Sequence, residues 1–169
     1  MPLVGSCWAA VLSPATTIAS GTTTVYVRKT FNVSNVQAIK QLVLDLDFDD
    51  GFVAYLNGVE IARSGLTSNP VNWDELAADH EAQVYQGLNL ISFVLNEAAL
   101  QNVLQLGTNV LALEVHNSST TSSDLSLIPY LTFGFDDASF GGIRLNVLNS
   151  CYACDFFLKF GCVNRHFGI

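Results

Sequence analysis

Four aspartates, Asp45, Asp47, Asp49 and Asp50, run up to Gly51 in the order D-x-D-x-D-D-G, and their carboxylates are the hard oxygen donors a calcium ion takes. No glutamate stands at the closing position after Gly51, so the EF-hand pattern fails. The expectation at these four residues is a structural calcium, or else a solvated strand face and turn. A second set suits a sugar. Glu114 and His116 share one face of an alternating segment, and Tyr55 and Glu60 lie on the non-core side of a hairpin pattern. Trp73, Tyr55 or Tyr85 offers an aromatic platform on which a sugar ring can stack. A His beside a Glu can equally be a satisfied structural pair.

Cys151, Cys154, Cys162 and His166 form C-x2-C-x7-C-x3-H, a ligand set a tetrahedral zinc could use. Together with Cys7, the same cysteines also allow two disulfides in any of three pairings, or free thiols. Asn32-Val33-Ser34 and Asn117-Ser118-Ser119 are glycosylation sequons. Catalytic signatures are missing: the sequence has no G-x-S-x-G elbow, no H-E-x-x-H and no glycine-rich phosphate loop. Asp74 and Glu75 are neighbours in a loop and support no glycosidase geometry. The expectation is a protein that is not an enzyme.

The elements that must position these groups read as strands. Leu42, Leu44, Leu46 and Phe48 alternate with Val43, Asp45 and Asp47, the period of a strand with one buried face. Asp50-Gly51 can turn the chain, and Asn57-Gly58 is the preferred pair of a two-residue type I′ hairpin. Residues 42–63 are therefore expected to form consecutive antiparallel strands, with Leu56 facing Val59, Tyr55 facing Glu60 and Ala54 facing Ile61. Val25–Val33, Leu88–Leu95, Val110–His116 and Asp124–Phe135 add strands, the last carrying Pro129, which belongs at an edge or bulge. Asn96 before EAALQNVL caps a helical turn or short helix. Residues 64–83 lose periodicity and form a long loop, where function tends to concentrate. The sum is an all-β sandwich with one short helix or helical turn.

The chain has 169 residues, enough for one domain with a real core. Hydrophobic residues make up 50% and charged residues 13%, which excludes a disordered chain. Fifteen acids against seven bases give a net charge of −8, which argues against nucleic acid and anionic membrane as partners. No apolar run is long enough for a membrane span. The opening MPLVGSCWAAVLSPA lacks a positive n-region and reads as an apolar strand or arm. Three parts result: an arm at 1–24, a sandwich at 25–140 and an apolar, Cys-containing tail at 141–169.

Three blocks, YVRKTFNV, DDGFVAYLNGVEIARS and LGTNVLALEVHNSSTTSSDLS, resemble the galactose-binding-like jelly-roll accessory modules of large secreted bacterial proteins. The resemblance covers about residues 25–133. It implies a jelly-roll sandwich, an extracellular or cell-surface location and, as for some such modules, a glycan ligand; structural calcium is common among them. The family usually has a longer, Trp-rich segment before the first block, and the tail has no counterpart in it. Two expectations follow. One is a non-catalytic extracellular module that binds a glycan or cell surface. The other is a structural subunit of an extracellular assembly or fibre, self-associating by strand addition through its termini. For the donated strand, Ile143, Leu145 and Val147 alternate with Arg144 and Asn146.

Overall fold

The computed structural model describes residues 18–137, 142–147 and 158–160. Cys7, Cys151, Cys154, Cys162 and His166 lie outside the described residues, as does the apolar arm before residue 18. Two antiparallel sheets face each other. One runs β1 (Thr24–Val33), β6 (Gly107–His116), β3 (Gly51–Leu56), β4 (Val59–Ser64). The other runs β5 (Ile91–Asn96), β2 (Ile39–Asp49), β7 (Leu125–Asp137), β8 (Gly142–Val147), with β9 (Leu158–Phe160) also on β7. The antiparallel pairs β1–β6, β2–β5 and β3–β4 nest inside one another, as when one long hairpin is rolled across two sheets. That winding is a jelly roll.

The alternation in β2 carries the core. Leu42, Leu44, Leu46 and Phe48 are fully buried and meet Phe52, Ala54 and Leu56 of β3 and Leu111, Leu113 and Val115 of β6. Asn96 caps the one short helix, α1 (Glu97–Leu100), accepting from the Ala99 N–H. Pro129 of β7 falls between the stretch paired with β8 and the stretch paired with β9, where its missing N–H leaves those ladders intact. The tail thus adds strands to the sheet of its own chain.

Asn57 and Gly58 both have positive φ, 52° and 84°, as a type I′ turn requires. Tyr55 faces Glu60 as expected, but Ala54 faces Ala62 and not Ile61. A bulge at Ile61 explains the difference: one extra residue lets Ile61 and Ala62 both pack on the core and moves Arg63 to the outer face, opposite Val53. Nor do β2 and β3 pair with each other. At Asp49–Gly51 the chain leaves one sheet for the other, so this corner joins the two layers.

Gly51 sits at that corner because the returning loop touches it. A Cβ there would lie 2.6 Å from the Ala77 Cβ and 3.0 Å from the Ser64 carbonyl oxygen. Gly51→Ala is expected to cost about 1–3 kcal/mol through overpacking. Urea denaturation would check this, and an unchanged midpoint would mean that the loop yields freely.

Candidate functional site

With Leu111, Leu113 and Val115 turned to the core, β6 presents Ala112, Glu114 and His116 on the outer face of the four-stranded sheet. Cross-strand register sets their neighbours. Tyr26, Glu114, Val53 and Arg63 form one row; Arg28, Ala112, Tyr55 and Glu60 form the next. Tyr55 donates its hydroxyl to Glu114 Oε1 at 2.7 Å, and Tyr26 stands directly across from Glu114 on the neighbouring strand. Burial first, then the Glu114 bond and charge, raise the Tyr55 hydroxyl above its ordinary value, and Tyr26 is raised too. Arg63 grips both oxygens of Glu60 at 2.6 Å through Nε and Nη2 and donates from Nη1 to the Ser68 carbonyl.

The loop after β4 covers the rest of this face. Leu66 and Ala77 pack on Val53, with Val71 and Tyr55 at the margin. The loop is tied down by Ala77 N–H to Asn117 O and Ala78 N–H to Gly65 O. Glu75 Oε1 accepts from the Thr67 and Ser68 N–H groups, and these bonds, Thr67 first, hold its carboxyl down at about 2. His116 lies beneath. Its Nδ1 is 2.7 Å from the Glu75 carbonyl oxygen, which can only accept, so Nδ1 carries a proton. Thr24 Oγ1 donates to the Trp73 carbonyl and fixes the loop's outer end beside Tyr26.

All five residues expected to contact a sugar therefore meet on one face, but not in one role. Trp73 is 72% exposed and Glu60 is exposed, whereas Tyr55 is half-buried. His116 is wholly buried and Glu114 is 6% exposed, so neither reaches a ligand. The correction is physical: the loop roofs His116, and the Tyr55 hydroxyl occupies the buried Glu114 carboxylate. Tyr26, 60% exposed, joins this face, and its place in the β1 alternation is the sequence signal that sets it there. The side chain of Tyr85 is not among those described.

The four aspartates do not gather round one point. Asp45 accepts from the Ser92 hydroxyl, Asp47 from the Gln83 and Val84 N–H groups, and Asp50 from the His80 and Ser118 N–H groups. Each anchors a different segment, which corrects the expected four-aspartate site. Asp49 alone joins a group that could hold a cation, and its companions are Glu81 and Asp124. One carboxylate oxygen from each lies within 4.8 Å of the others. A calcium about 2.4 Å from each oxygen spans oxygen separations up to about 4.8 Å, so the set fits. Burial, then the charges of Asp50, Asp124 and Glu81, push the Asp49 carboxyl up to about 7 against one opposing bond from the Ala82 N–H.

Among the described residues no helix is long and apolar enough to cross a membrane. The sequence matches no protein-family model and no curated protein. Among solved structures it is similar to an α-L-rhamnosidase from Streptomyces avermitilis, crystallised with L-rhamnose (TM-score 0.43, 18% identity, 78% of this chain and 10% of that one). A second α-L-rhamnosidase, from Dictyoglomus thermophilum, gives TM-score 0.45 and 14% identity over 75% of this chain and 12% of that one. A β-glucuronidase from Bacteroides uniformis gives TM-score 0.36 and 13% identity over 82% and 20%. The chain spans between a tenth and a fifth of the length of these enzymes.

Proposed function

We propose that this chain is a non-catalytic, extracellular β-sandwich module of galactose-binding-like type, and that it binds a glycan on the outer face of its four-stranded sheet. Two exposed aromatic rings, Tyr26 and Trp73, carry this reading: they flank a sheet face whose remaining charged groups are almost all bonded in place. Rings held open to water over a rigid polar floor suit the apolar face and hydroxyl rim of a sugar. In the same reading Asp49, Glu81 and Asp124 hold a structural calcium that ties the β2–β3 corner to the loops before β5 and β7. Pairing of β8 and β9 with β7 uses the tail within its own sheet, which supports the module over a subunit that donates the tail as a strand.

A glycan array tests this directly. Binding to at least one glycan is expected, and Trp73→Ala or Tyr55→Ala should weaken it by about 1–3 kcal/mol, the value of a buried stacking aromatic. A flat response across a broad array would favour the structural-subunit reading instead.

A further inference from the structure

The open half of this face differs from the roofed half in one respect: it contains an unspent charge. Both oxygens of Glu60 are held by Arg63, and Arg63 also serves the Ser68 carbonyl. The Glu114 carboxylate is buried and accepts the Tyr55 hydroxyl. Arg28 stands two residues beyond Tyr26 on the same side of β1, exposed and, among the described residues, without an ion pair or hydrogen-bond partner. Its register partner is Ala112, whose own partner on the far side is Tyr55. Arg28 and Tyr55 therefore stand two strands apart, roughly 10 Å by the usual strand spacing, with only a methyl group between them. A pyranose ring fits that gap, over Ala112 and against Tyr55, with one edge at the guanidinium.

We propose that this trough takes a sugar residue bearing a single carboxylate, a uronate, with Arg28 as the group that selects it; the inference rests on the reading of this face as a sugar site. A guanidinium presents two parallel N–H donors that match the two oxygens of a carboxylate. The chain's net charge of −8 disfavours densely charged polyanions, which leaves one acidic group on an otherwise neutral glycan as the fitting ligand.

The test titrates the full chain, by calorimetry, with matched oligosaccharides that differ only in a carboxylate: glucuronic against glucose, and galacturonic against galactose, at one position. At least one acidic member should bind about tenfold more tightly than its neutral counterpart, the value of a charge-assisted pair. Arg28→Gln should erase that ratio while leaving the melting temperature unchanged, and Arg28→Lys should restore part of it. Neutral members bound as tightly as acidic ones, or a preference that survives Arg28→Gln, would overturn the inference and leave the sugar-binding face standing. Absence of binding to every member would overturn both.

Discussion

Phe48→Ala is expected to lower the stability of the domain by about 4 kcal/mol, the cost of removing a fully buried phenyl ring from a core that cannot close over the gap. Phe48 has no exposed surface and ends the core face of β2 just before the chain changes sheets. Its ring meets Phe52 edge-on at 4.7 Å and stacks on His80 at 4.3 Å, with the two planes 13° apart. His80 in turn places Nδ1 3.1 Å from the Phe48 carbonyl oxygen and gives its N–H to Asp50. One ring thus joins the core, the corner and the loop. Phe48→Leu, which keeps most of the apolar volume but loses the aromatic pairs, should cost about 1–2 kcal/mol. Guanidinium denaturation checks the ordering; equal losses for the two substitutions would show that volume does not govern the site.

In chelator, the melting temperature should fall as pH rises from about 4 to about 8, and millimolar calcium should abolish that fall. Asp49 holds its proton up to about 7 in the folded chain, against 3.8 for an ordinary aspartate. Below the lower value the carboxyl is neutral in both states, so the stability linked to the proton is fully present. As pH climbs, the unfolded chain ionises freely, while the folded chain must come to hold a buried charge beside Asp50, Asp124 and Glu81; that stability is gone once pH passes 7. Glu75 works in the opposite sense. Held down at about 2 by the Thr67 and Ser68 donors, it contributes above the ordinary carboxylate range and loses its contribution as pH falls through about 2. A maximum near pH 4 to 5 follows. A cation that binds only the folded chain adds about 2.7 kcal/mol at a hundredfold excess over its Kd, and it does so where Asp49 is ionised. Asp49→Asn should remove both the neutral-pH decline and the calcium response. Identical melting curves in chelator and in calcium at pH 7.5 would exclude the cation.

Much of this fold is legible in the sequence because strand alternation and turn chemistry are local. Leu42 to Phe48 declare a buried face, and Asn57-Gly58 a turn, without reference to the rest of the chain. The alternation in β6 likewise puts Ala112, Glu114 and His116 on a common side. Period two assigns a face but not a sheet, which is why the crossing at Asp49–Gly51 is invisible in it. The bulge at Ile61 is equally hidden, since one extra residue reverses every later assignment in the strand. The loop after β4 has no period at all, so the sequence does not say that it buries His116. The candidate cation set shows the same limit. Asp49 is found by its neighbours in sequence, but its companions Glu81 and Asp124 arrive from separate loops through the winding of the sheets.

Sugar binding on the outer face of the four-stranded sheet sets one face of the sandwich against the other. With the strongest glycan from the array, affinity is measured for Tyr26→Ala, which strips an exposed ring from the four-stranded sheet, and for Val94→Ala, which trims an exposed side chain from β5 of the five-stranded sheet. Tyr26→Ala is expected to lose affinity at least about tenfold, as for a stacking ring, and Val94→Ala to lose none. Full affinity in Tyr26→Ala, or a loss confined to Val94→Ala, would contradict sugar binding on that face.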